Sequence, residues 1–130
     1  GYSLLATLWA GGTAVLQPKW STSRFWQVAG QHGTTWVSFI WFSLRAVLEG
    51  EIPAGHGLRM IGFATSDPPA AQRLGVPCIG WWGMTETISH GIVGTPHVPN
   101  TPGAIGRPAP EYDIQIRRED GAPVVPGETG

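Results

Sequence analysis

Four short apolar runs, Thr13–Gln17, Thr35–Ile40, Leu58–Gly62 and Cys78–Trp81, recur between segments of helical character, and that alternation leaves few folds open. Each run is short for a helix and apolar enough for a strand covered on both faces. Strands of this kind, joined by helices, build a mostly parallel sheet with flanking helices, an α/β fold. The punctuation between them agrees. Leu4, Leu5 and Leu8 share one face of a helix over residues 3–10, which Gly11-Gly12 stops. Ser21 or Ser23 caps a helix reaching about His32, with Phe25, Trp26, Val28 and Ala29 as its apolar stripe. Ser43–Leu48 begins a third helix that Gly50 ends. After the polar loop Glu51–Gly57, Asp67-Pro68-Pro69 opens a short helix whose first turn tolerates proline without losing a hydrogen bond, and Gly75-Val76-Pro77 closes it.

The pattern then changes. From Ile92 to Pro110 the prolines Pro96, Pro99, Pro102, Pro108 and Pro110 prevent long regular elements, so this stretch reads as loop. Tyr112–Arg117 alternates strictly, with Tyr112, Ile114 and Ile116 on one face of a half-exposed strand; Glu119-Asp120-Gly121 supplies a turn and Ala122–Val125 a return strand. The expected organisation is an α/β unit over residues 1–98 and, over 99–130, a loop and antiparallel β segment that starts a second unit.

Composition narrows the function classes. Charged residues make up 13% of the 130 residues, about half the usual share, and the formal net charge is −1. No Lys/Arg cluster offers a footprint for nucleic acid. So sparsely charged a surface implies that part of it is covered, by self-association into a homo-oligomer or by further chain. The longest apolar run, Trp36–Leu44, is about half the length of a membrane span. The single cysteine, Cys78, has no disulfide partner and fits a reducing, cytoplasmic setting, as a buried thiol or as a nucleophile. An N-terminus without Met or a basic leader, and an abrupt end at Gly127-Glu128-Thr129-Gly130, read as an excised segment.

Chemistry is densest at Trp81-Trp82-Gly83-Met84-Thr85-Glu86-Thr87, at the carboxyl end of the fourth run. An indole face can carry a flat heterocycle, glycine admits close backbone approach, and a hydroxyl beside a carboxylate can address a phosphate and its metal ion. The same residues also suit a strand-to-helix turn, with Thr85 and Glu86 at the helix start. In doubly wound sheets ligands bind beyond the carboxyl ends of the strands, so Ala64-Thr65, after the third run, is expected to share a crevice with this motif.

Three motifs stand in order: Trp82-Gly83-Met84-Thr85-Glu86, Pro102-Gly103-Ala104-Ile105-Gly106-Arg107-Pro108, and Asp120-Gly121-Ala122-Pro123-Val124-Val125-Pro126-Gly127-Glu128. With them the chain resembles the adenylate-forming enzyme superfamily, acyl-CoA synthetase type, over essentially its whole length. The resemblance implies a segment of the large N-terminal domain. It also implies stacking near adenine for Trp82, with Trp81, Gly83 and Met84 around it, an α-phosphate contact for Thr85, and Mg²⁺ at Glu86. Gly62-Phe63-Ala64 would line adenine with backbone, although Phe63 stands where the family has a small residue, and Trp82 where it usually has tyrosine. The implied reaction uses ATP to activate a small-molecule carboxylic acid as acyl-AMP and transfers the acyl group to CoA. The family's phosphate loop and catalytic lysine do not occur in these 130 residues, so the segment alone is expected to be inactive.

Other side chains stay open at this stage. Trp36 and Phe39 are candidates for the acyl pocket. His90, four residues after Glu86, would share a helix face with it and either line that pocket or be an ordinary exposed histidine. His32, His56 and His97 read as surface residues, and Arg107 as a phosphate contact or a structural hydrogen-bond donor. The competing classes are a non-enzymatic α/β binding module and an adenylating enzyme with a carrier-protein acceptor.

Overall fold

The computed structural model describes residues 2–97 and 101–130. Five strands form one mixed sheet in the order β1 (Trp36–Ser38), β2 (Met60–Phe63), β3 (Cys78–Gly83), β4 (His90–Val93) and β5 (Arg107–Pro108). The first three run parallel, in the register Val37, Ile61 and Cys78, while β4 and β5 add antiparallel. Four helices accompany them: α1 (Tyr2–Trp9), α2 (Thr22–Gln31), α3 (Trp41–Glu49) and α4 (Pro68–Leu74). The α/β class expected from the alternation is the one observed.

Local chemistry sets the helix ends. At the end of α1, Gly11 takes φ +73°, and the N–H groups of Gly11 and Gly12 donate to the carbonyls of Leu8 (3.0 Å) and Thr7 (2.8 Å). That is the paired carbonyl closure a double glycine permits. Asp67 Oδ1 accepts from the Ala70 N–H at 2.9 Å, two prolines fill the first turn of α4, and Gly75 closes it at φ +67°. Helix α3 starts two residues earlier than Ser43 suggests. Ile40 occupies the cap position, and the Ser43 hydroxyl reaches back to accept from the Ile40 N–H at 3.1 Å. The serine therefore works from inside the first turn.

One sheet face carries the core. Phe39, Ile61, Phe63 and Cys78 pack with Phe25, Leu44, Val47, Ala70 and Leu74 from the helices, and Ile61 and Phe63 are essentially sealed from solvent. Cys78 is the buried thiol of the two readings, its pKa raised by loss of water.

Several expectations are overturned. Thr13–Gln17 forms no strand: Leu16 is exposed, and no backbone partner pairs with the run among the described residues. An apolar run becomes a strand only beside an edge that pairs with it. The stretch after Ile92 is not all loop, since β4 and β5 lie partly within it. In the tail, only Arg117 and Pro123 form a bridge, supported by Arg118 N–H to the Ala122 carbonyl at 2.9 Å. Ile116 is exposed rather than half-covered. His56 is no surface residue: half-buried, it stacks on Trp26 at 5.1 Å, and its Nε2 lies 2.9 Å from the Leu74 carbonyl. The division expected at residue 98 lies outside the described residues.

Candidate functional site

The face of the sheet opposite the core is built from indoles around a glycine. Trp36 on β1 and Trp81 on β3 meet edge-on across β2, with ring centroids 5.4 Å apart at 62°. Gly62 on β2 makes that meeting possible. A Cβ there would overlap the Trp81 ring and lie 2.7 Å from Trp36 Cη2. Beyond Trp81, His90 on β4 stacks nearly flat against the indole, at 4.7 Å and 13°. Trp36, Trp81 and His90 thus form one continuous aromatic wall.

That wall bounds an open cavity of about 1160 Å³, which α1 and the unpaired run after it also line. Trp36, Phe39, Phe63, Ala64, Trp81, Trp82, Gly83 and His90 all line it. Gly62, overlain by the Trp36 and Trp81 indoles, does not itself line it. Met84, Thr85 and Glu86 do not line it; they follow Gly83 out of β3 into an exposed turn. Ala64 thus shares a cavity with Trp82 and Gly83, whereas Thr65, Thr85 and Glu86 stand outside.

The turn itself is strongly specified. Residues Thr85–Thr87 form one turn of 3₁₀ helix, and the chain then reverses into β4, so His90 belongs to a strand and shares no helix face with Glu86. Spacing alone suggested a helix. Thr87 decides against it, because its hydroxyl accepts from the Met84 N–H at 3.0 Å and sits 2.9 Å from the Met84 carbonyl and 2.7 Å from that of Ser89. Its single proton serves one carbonyl at a time. Ile88 follows at φ +58°, an unusual conformation for a β-branched residue that costs on the order of 1–3 kcal/mol. Tyr112, from the tail, donates its hydroxyl to the Thr87 carbonyl and ties the turn to a distant segment. The sequence places Thr87 in the motif and Tyr112 on a strand face, but assigns neither a part in holding this turn. A hydroxyl three residues after Met84 is a readable turn signal, but nothing local marks Tyr112.

Glu86 is exposed, and among the described residues it has no ion-pair partner. Trp82 keeps 41% of its surface accessible. Gly83 permits a close backbone approach, since a Cβ would stand 2.7 Å from the Ser89 carbonyl oxygen. Arg107 is exposed on β5. Burial holds the His90 pKa below its usual 6.5, which favours the neutral ring. The folded state then binds fewer protons than the unfolded one near that pH. The stability linked to this group is therefore fully present above the ordinary value and is lost as pH drops from there through the lowered pKa. Melting temperatures measured between about pH 7 and pH 5 should decline, and His90→Gln should remove part of that slope.

The profile of the AMP-binding enzyme family matches residues 1–130. The sulfoacetate–CoA ligase of Cupriavidus necator is 31% identical over 135 residues, covering 97% of this chain and 26% of that protein. The crotonobetaine/carnitine–CoA ligase of Salmonella arizonae is 32% identical over 141 residues, with the same coverages of 97% and 26%. Among solved structures, O-succinylbenzoate coenzyme A synthetase from Bacillus subtilis, in complex with ATP and magnesium ion, superposes with a TM-score of 0.80 at 26% identity. That match covers 97% of this chain and 28% of that one. The chain thus spans about a quarter of the length of the curated relatives it matches.

Proposed function

The chain belongs to the AMP-binding enzyme family, and from that premise we propose that it is a segment of an ATP-dependent acid–thiol ligase. In this reading the longer protein activates a carboxylic acid as acyl-AMP, releasing pyrophosphate, and passes the acyl group to CoA. The observation that carries it is the adjacency of two unlike features: a polar Thr-Glu turn follows directly on the Trp82-Gly83 step that lines a large, mostly apolar cavity. A nucleotide and an acyl group have to meet at such a boundary.

The residues suit their proposed partners. Glu86 supplies one exposed carboxylate, and no group of three or more His, Cys, Asp or Glu side chains gathers elsewhere among the described residues. That suits Mg²⁺, which keeps several waters and takes most remaining oxygens from phosphates. When bound, the ion would neutralise phosphate charge. Thr85 offers a hydroxyl to the α-phosphate, and Trp82 with the Gly62-Phe63-Ala64 backbone would flank adenine. Trp36, Phe39 and His90 would line the acyl pocket. Among the described residues no helix is long and apolar enough to cross a membrane.

ATP–pyrophosphate exchange tests the reading. The full-length protein should exchange in the presence of an acceptable acid. The isolated 130-residue chain should not, because most of the charge neutralisation that phosphoryl chemistry requires would come from residues it does not contain. Robust exchange by the isolated chain would overturn that division of labour.

A further inference from the structure

The walls of the cavity carry a second kind of information, which concerns the acid. Among the described residues that line it there is no Asp, Glu, Lys or Arg. The two ionisable side chains are histidines, His32 at an exposed rim and His90 within the aromatic wall. An acyl group carrying a second anion would lose water without gaining a cation, which is costly. A quaternary ammonium would gain no carboxylate either. It would depend on open ring faces; within the wall one face of Trp81 is already covered by His90 and Trp36 meets Trp81 by its edge, so the faces left to it include those of the exposed Trp41 and Trp82, outside the wall. Aromatic rings, by contrast, add readily to an existing edge-to-face array, since ring edges and faces carry opposite partial charge. Trp36 is half-buried rather than sealed, so its indole remains available to a guest.

We propose that this site takes a carboxylic acid with an uncharged aromatic acyl group, seated against the Trp36–Trp81–His90 wall. The proposal rests on the ligase reading for the identity of the site as an acyl pocket. Gly62 has a defined part in it as a positioning residue, keeping the two indoles in contact across β2. Trp36 is the specificity-determining side chain, because it lies at the end of the wall that no histidine covers.

Isothermal titration calorimetry on the full-length protein, without ATP, tests the idea through equilibrium binding. Four acids serve as probes: hydrocinnamate, nonanoate, succinate and γ-butyrobetaine. Hydrocinnamate should bind about tenfold tighter than succinate or γ-butyrobetaine, and tighter than nonanoate of equal heavy-atom number. Trp36→Leu should abolish the preference, bringing hydrocinnamate down to the affinity that nonanoate shows on the same variant. Tighter binding of either charged acid, a preference for nonanoate, or no measurable binding of hydrocinnamate would each overturn the proposal. The ranking in the parent protein decides the matter even where Trp36→Leu fails to fold. Absence of ATP–pyrophosphate exchange with every acid counts against the ligase reading, whereas a reversed affinity order counts against the aromatic acyl group alone.

Discussion

Replacing Glu86 with Gln in the full-length enzyme should lower the rate of acyl-adenylate formation by about a hundredfold while leaving the fold intact. The size follows from the proposed role: without its carboxylate the turn would lose its hold on the Mg²⁺ that would offset charge at the reacting phosphate, and removing one such preorganised contribution is worth on the order of 10²- to 10³-fold in comparable sites. Retention of the fold follows from where Glu86 sits. It is exposed, on a turn held by Thr87 and Tyr112, and it makes no ion pair among the described residues. Exposed substitutions of this kind usually change stability by about 0.5 kcal/mol or less. Pyrophosphate exchange and a melting curve on the same sample separate the two effects. Exchange at the parental rate would remove Glu86 from the site.

Gly80→Ala should have the opposite signature, a large loss of stability. Gly80 is buried in β3, where a Cβ would overlap the Ile105 carbonyl oxygen and stand 2.9 Å from the Ser66 backbone nitrogen. Neither neighbour can move freely. The Ser66 N–H donates to the Ala104 carbonyl at 2.8 Å, which ties the two obstructing segments together, and the Gly94 N–H donates to the Gly80 carbonyl at 2.8 Å, which holds Gly80 in place against them. Overpacking against backbone costs about 3 kcal/mol, which lowers the melting temperature by roughly 10 °C in a domain of this size. Gly30→Ala is the control. Gly30 lies within α2, its added Cβ would meet nothing within 4 Å, and its φ lies outside the left-handed region. That change should stabilise by about 0.5–1 kcal/mol. Equal melting temperatures for the two variants would contradict the packing argument.

The parts of the fold legible in the sequence are those decided within a few residues. Asp67 with two prolines and Gly75 bracket α4 because each acts on its own turn, and Gly11-Gly12 closes α1 for the same reason. The apolar runs around Val37, Ile61 and Ile79 found their places because these parallel strands carry apolar side chains on both faces, the core on one and the indoles on the other, and so need no alternation. Thr13–Gln17 looks equally strand-like, but its state depends on a pairing edge, which its own residues do not encode. The turn after Glu86 was misread because the spacing to His90 suits a helix, whereas Thr87 and the Trp81–His90 stack favour reversal into β4. At the site, Trp36, Phe39, Trp82 and His90 were legible as residue types and come together around one cavity. Its uncharged lining and the glycine beneath the indoles were not, since both are properties of the face formed when three strands align.

The reversal at β3 also bears on the chain entropy of assembling the site. Only six residues separate Gly83 from His90, against 21 between Ser38 and Met60 and 14 between Phe63 and Cys78. Loop-closure cost grows with the logarithm of length, so closing β3 on β4 costs about 1 kcal/mol less than closing β1 on β2. The Thr-Glu turn is therefore defined by a local hairpin, whereas the Trp36 side of the wall depends on a distant crossover. The polar half of the site is topologically independent of the apolar half, and the indole of Trp81 is where they are joined.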